Sequence, residues 1–124
     1  MPASFGAFRR HAASLPGATL DIKWGADACY CVGGKMFAVF GVEGAKERGM
    51  SIKADPERFL ELTDIEGIVA APYLARARWV KFERADALPT ADVKRLIARS
   101  HRLVAAKLTR AVRESVLAPA APQR

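Results

Sequence analysis

The sequence has 124 residues, 51% hydrophobic and 27% charged, a balance that suits one globular domain and excludes wholesale disorder. Its longest clean apolar run, Met36–Phe40, falls far short of the ~20 residues a bilayer span needs, so no membrane partner is expected. Twenty Lys and Arg against 13 Asp and Glu leave a net charge of +7, and from Leu88 to Arg124 eight basic residues meet only two acidic ones. A basic last quarter on a nearly neutral body points to an anionic partner, nucleic acid above all, with a merely solvated basic helix as the alternative.

The chain opens with a short helix that Ser4 can cap, with Phe5, Phe8, Ala12 and Leu15 roughly on one face and Pro16-Gly17 as its stop. Thr19–Trp24 reads as an extended segment. Cys29–Val32 and Lys35–Phe40 then flank Gly33-Gly34, which predicts a β-hairpin with a primed turn, since glycine supplies the positive φ such a turn requires. Met50–Lys53 is a third partner strand. Asp55-Pro56-Glu57 starts a helix, with Asp55 as N-cap and Phe59, Leu60 and Thr63 on its inner face. Ile68–Ala71 is a short strand or an extended loop, and Arg78–Glu83 an alternating strand.

The last helix is long, with Thr90 as cap. Val93, Leu96, Ile97, Val104, Leu108 and Ala111 form its apolar stripe, and Arg95, Arg99, Arg102, Arg110 and Arg113 follow the same period half a turn away. Residues 1–116 are expected to form one domain and residues 117–124 a flexible tail. The predicted class is α+β: two layers, an antiparallel sheet with helices packed on one face, in the order α-β-β-β-α-β-(β)-α.

Few residue patterns point to catalysis. His11 and His101 both fall in helices, and His101, adjacent to Ser100, cannot face it across a turn. Cys29 and Cys31 share one strand face and could give two metal ligands, but zinc needs three or four, so they read as small core residues on the inward face. Two cysteines build no disulfide scaffold, and no basic-then-apolar leader opens the sequence, so reduced thiols and a cytoplasmic location are expected. Gly33-Gly34-Lys35 lacks the frame of a phosphate loop and precedes a strand. No metal and no cofactor are expected, and the chain is not expected to be an enzyme.

The best cluster for nucleic acid is Arg76, Arg78, Trp79 and Lys81, three cations interleaved with an indole that could stack on a base. Against this, Trp79 can equally be the core anchor of its strand. Arg99 and Arg102 of the helix stripe add planar forks suited to phosphate.

Ser14-Leu15-Pro16-Gly17, Trp24-Gly25, Val32–Ala38, Ile52-Lys53 with Asp55-Pro56-Glu57, Ala71–Leu74, Arg78-Trp79-Val80 and Ser100–Val104 through Lys107-Leu108 occur in an order that resembles the MmcQ/YjbR-like family. The resemblance spans about residues 5–110. It implies a small α+β fold of the double-wing, CyaY-like kind, and DNA binding. It also marks Lys35, Lys53, Arg78, Trp79 and Lys81 as contact residues. Two departures stand out: Ser100-His101 replaces the usual Ser-Tyr, and the chain continues basic beyond Leu108.

The resulting expectation is a monomer that binds nucleic acid, DNA first, through its phosphate backbone with little sequence choice. A protein-binding adaptor is the first alternative, to be recognised by an exposed apolar patch around Trp24 or Trp79. A small-molecule binder or enzyme with a pocket around His101, Tyr73 and Lys35 is the second.

Overall fold

A computed structural model describes residues 3–23, 27–43, 46–72 and 74–117. Helix α1 (Phe5–Ala13) is capped as the sequence predicts, Ser4 Oγ accepting from the Ala7 amide at 3.0 Å. Four strands follow: β1 (Ala18–Lys23), β2 (Asp27–Val32), β3 (Lys35–Glu43) and β4 (Lys46–Lys53). After a 3-10 turn at Pro56–Arg58 come α2 (Phe59–Thr63), β5 (Ile68–Ala70), a second 3-10 turn at Ala75–Ala77, β6 (Trp79–Phe82), α3 (Thr90–Ala105) and α4 (Arg110–Leu117). The sheet is antiparallel throughout, in the order β1-β2-β3-β4-β6-β5. With the helices to one side, this is the two-layer α+β architecture expected. The segment read only as extended before the hairpin is the edge strand β1.

The hairpin forms as predicted, with Gly33 at φ +59° and Gly34 at φ +81°. Just beyond it the ladder is irregular. Cys31 pairs with Met36 and Tyr30 with Ala38, leaving Phe37 as the extra residue of a bulge. Phe37 turns inward, with Phe40, Met50, Ile52, Val80 and Phe82 from neighbouring strands, to meet Phe8 of α1 and Val93 and Ile97 of α3. His11 Nε2 lies 3.1 Å from the Lys94 carbonyl, tying α1 to α3.

Several local expectations are corrected. The long final helix is two helices: Lys107 and Leu108 bond back three residues, to Val104 and Ala105, which tightens and ends α3. Thr109 Oγ1 then accepts from the Val112 amide at 3.3 Å and starts α4. The break sets Leu108 and Val112 against the hairpin tip at Gly33. Thr90 does not cap α3; Pro89 holds that position, with no side-chain cap. Asp55 does not cap the Pro56 turn either, because its carboxylate is held by Arg99. Leu60 is 79% exposed, and Leu62 supplies the buried face of α2 instead. Cys29 and Cys31 are buried but lie on the face away from the helices, alternating with Ala28, Tyr30 and Val32 of the core. Trp24 and Tyr73 lie outside the described residues.

Candidate nucleic-acid interface

The register gathers several of the sequence-marked cations at one end of the sheet. β4 ends at Lys53, which pairs with Trp79, the first residue of β6. Arg78 therefore sits directly beside the end of β4, and its carbonyl accepts from the Ala54 amide at 2.8 Å. Arg78 has φ +64°, in the left-handed region that a non-glycine residue occupies at a cost of roughly 1–2 kcal/mol. Its guanidinium stands 5.6 Å from the centre of the Phe59 ring, a cation–π contact. Arg76, exposed, lies two residues earlier in the 3-10 turn.

Ser100 fixes α3 onto this end. Its buried hydroxyl donates to the Phe37 carbonyl at 2.6 Å, serving the bulged residue, and accepts from the Lys53 amide at 2.9 Å. The C-terminal turn of α3 consequently overlies the end of β4. Lys107, just past that turn, is close enough that its charge acts on Lys53. Burial first, and the like charge of Lys107 second, push the Lys53 ammonium below the usual lysine range. No described carboxylate lies within ion-pair distance of Lys53, Arg76, Arg78 or Lys107. Lys107 was not marked in the sequence for this role, though its place at the end of the basic helix was the available signal. Lys35, exposed, stands at the root of the hairpin whose tip touches Leu108, near the same end.

The remaining marked residues stand apart. Lys81 is two register steps further along β6 than Trp79, opposite Ser51, with its stem packed near Gly49. Arg102 is exposed on α3. Arg99 is engaged with Asp55, both of whose carboxylate oxygens lie within 3.1 Å of the Arg99 guanidinium. That fork holds the Asp55 carboxyl below its ordinary range. Trp79 is only 5% exposed, so its ring presents no face on which a base could stack. Its burial is the anchor role the sequence offered as the alternative.

Other chemistry finds little footing. His101 is a buried side chain whose Nε2 lies 2.7 Å from the Pro16 carbonyl, with its ring edge-on to Phe37. Burial above all, then the neighbouring Cys31, pushes the Cys29 thiol up to about 11, which leaves it protonated and unreactive at neutral pH. Among the described residues there is no group of three or more His, Cys, Asp or Glu able to hold a metal ion, and no helix long and apolar enough to cross a membrane. A cleft of about 390 Å³ opens between α2 and α3. Its arginines Arg58, Arg95 and Arg99 are each paired with a carboxylate of the same cleft, Glu61, Asp92 and Asp55. With its cations compensated in this way, the cleft is a poor seat for an anion.

The YjbR family model matches residues 13–103, most of the chain. The chain belongs to the YjbR family. Among solved structures, this YjbR-family chain is similar to a Deinococcus radiodurans protein with a DUF419 domain. The TM-score is 0.81 at 23% identity, covering 94% of this chain and 90% of that one. It is also similar to a Pseudomonas syringae protein, with a TM-score of 0.66 at 20% identity, covering 82% of this chain and 98% of the other. At these identities the likeness is one of fold. No curated protein matches the chain.

Proposed function

We propose that this protein binds nucleic acid, DNA first, through the phosphate backbone, using the sheet end where Lys53, Arg76, Arg78 and Lys107 meet, with Lys35 and Arg102 as flanking contacts. The observation that carries the reading is the register that sets Lys53, at the end of β4, beside Arg78, with no described carboxylate within ion-pair distance of either. Burial, and then the like charge of Lys107, push the Lys53 ammonium below the usual lysine range, in keeping with a surplus of positive charge there. A phosphate placed between Lys53 and Lys107 relieves that repulsion, and the planar fork of Arg78 beside them offers a second contact. Lys81 extends the cationic surface along β6. Arg99 contributes only if it leaves Asp55, and Trp79 contributes packing rather than stacking. The affinity is therefore electrostatic, with little sequence choice. The role is binding rather than catalysis, and the setting is the cytoplasm.

Fluorescence anisotropy with labelled duplex and single-stranded DNA at two salt concentrations tests this. With ~3–5 phosphates engaged, log affinity for duplex falls against log salt with a slope of about −3 to −4.5. A Lys53→Ala/Arg78→Ala variant weakens binding to both forms and flattens the slope by about two contacts. An Arg10→Ala/Lys94→Ala variant, altered away from the sheet end, binds like the parent. Salt-insensitive binding, or equal losses in the two variants, overturns the reading.

A further inference from the structure

A second pair of cations lies where α1 crosses β2. Arg58, Arg84, Arg95, Arg99 and Arg110 are each paired with a carboxylate. Arg9 and Arg10 have no described carboxylate within ion-pair distance, and with Gly6, Ala13 and Tyr30 they line a cleft of about 310 Å³. Arg9 Nε donates to the Tyr30 hydroxyl at 3.4 Å, and the guanidinium stands 6.0 Å from the centre of the Tyr30 ring. Phe40, edge-on at 5.7 Å, holds that ring from its other side. The Tyr30 hydroxyl proton and the two terminal amino groups of Arg9 are left without a described acceptor, although Tyr30 is only 6% exposed. Leu20 pairs with Tyr30 and Ile22 with Ala28, which puts both on the helix-facing side of β1. They are nevertheless 51% and 55% exposed, so the cleft runs out onto an uncovered apolar strip. Asp21, the register partner of Cys29, lies on the opposite face, and so does Asp27.

We propose that this cleft binds a small aliphatic anion, a carboxylate head on an alkyl chain. The head takes the planar fork of Arg9 and the Tyr30 hydroxyl proton, with the charge of Arg10 at its flank. The alkyl chain lies across Leu20 and Ile22. Neither half suffices alone: cations open to water hold a small anion weakly, and two half-exposed apolar side chains hold an alkyl chain weakly. Size selects a small molecule over a macromolecule. Leu20 and Ile22 stand two residues apart on one strand, a strip only ~7 Å long, whereas a stable protein partner needs ~1,200 Å² of buried surface. A cleft of this volume suits a small ligand. β1 and β2 lie across the sheet from β4 and β6, so the site is separate from the phosphate-binding end and does not rest on that reading.

Titration of the full chain with sodium octanoate at constant ionic strength, followed by amide NMR, tests the proposal. Saturable shifts centred on Arg9, Arg10, Leu20, Ile22 and Tyr30 are expected, with a Kd on the order of 1 mM for so small a ligand. Acetate, which lacks the chain, and octanol, which lacks the charge, bind at least about tenfold more weakly. Arg9→Gln weakens octanoate about fivefold or more and leaves octanol unchanged. Leu20→Ser/Ile22→Ser brings octanoate down to the level of acetate. The three altered residues are exposed or half-buried, so the variants keep the fold. Lys53→Ala/Arg78→Ala binds octanoate like the parent. Acetate matching octanoate marks a bare anion site, octanol matching it marks an apolar strip alone, and shifts centred on Lys53 mark general charge attraction. Any of these, or an Arg9→Gln protein that binds octanoate as before, overturns the proposal.

Discussion

Ser100 joins three elements through one hydroxyl. It is fully buried, and its two hydrogen bonds, to the Phe37 carbonyl and from the Lys53 amide, serve backbone groups at a bulge and at a strand end. Removing the hydroxyl leaves both groups without that partner away from water. Ser100→Ala is therefore expected to cost about 2 kcal/mol, read as a lower urea midpoint at unchanged m-value. It also loosens the backbone beneath Lys53, so DNA affinity falls with stability. Asp55 presents the opposite situation, a carboxylate near the surface whose worth depends on protonation. Because the Arg99 hydrogen bonds hold its folded pKa below the ordinary 3.8, its stabilisation is complete above that value and is lost as pH falls through the depressed one. Asp55→Asn is accordingly expected to remove a component of acid unfolding below pH 3.8 and to leave the shape of the profile above it unchanged. An identical acid limb in the parent and the variant contradicts this.

At the scale of elements, the hairpin tip and the break between α3 and α4 act as one unit. A Cβ on Gly33 would come within 2.7 Å of Leu108 and 3.1 Å of Val112, whereas one on Gly34 would meet nothing within 4 Å. Both glycines have positive φ, so alanine strains the backbone at either, by about 1 kcal/mol. Only Gly33→Ala adds a clash with the linker, and it is expected to lower the thermal midpoint clearly more than Gly34→Ala; equal losses would show that α4 does not lie on the tip. The turn itself was legible because two adjacent glycines between β-prone runs have one economical solution. The helix break was not, because the apolar stripe continues through Leu108 and Ala111 on the same period. Thr109 was the local signal, and a lone threonine inside a periodic stretch reads as an ordinary helix residue. The N-cap at Asp55 failed for a related reason: a partner 44 positions away outcompeted the backbone for its carboxylate.

For the molecule as a whole, the excess of positive charge sets stability and binding against each other. A chain of net charge +7 repels itself, so raising salt from low to physiological strength is expected to raise the melting temperature while it lowers DNA affinity. Lys53 concentrates that opposition at one residue. Its lowered folded pKa means that its charge costs stability at neutral pH, a cost relieved as pH rises through the folded value. Lys53→Met keeps the stem and drops the charge. It is expected to raise the melting temperature at low salt, by no more than about 1 kcal/mol in stability, with the gain fading at high salt while DNA affinity falls. A variant that melts lower at low salt would contradict the repulsion. The two-layer architecture and the family were legible in the sequence because they rest on local patterns: the Gly33-Gly34 turn, the α3 stripe and the ordered short motifs. Which cations converge was less so. Lys35, Lys53 and Arg78 were marked, but the hydrogen bonds from Arg99 to Asp55, the burial of Trp79 and the place of Lys107 depend on strand register and on where α3 crosses the sheet, and neither is written in any short window.

The Ser100 clasp also bears on how the chain is made. The groups it serves lie 47 and 63 positions earlier in the sequence, so the bulge at Phe37 and the end of β4 leave the ribosome long before their partner exists. Until residues 90–105 follow, β2, β3 and β4 can pair but have only α1 and no α3 to cover Phe37, Phe40 and Met50. A nascent chain arrested before Thr90 thus carries a sheet whose apolar face is only partly covered, which makes it a natural client for a holding chaperone. The last helices to be synthesised are the ones that let the first strands settle.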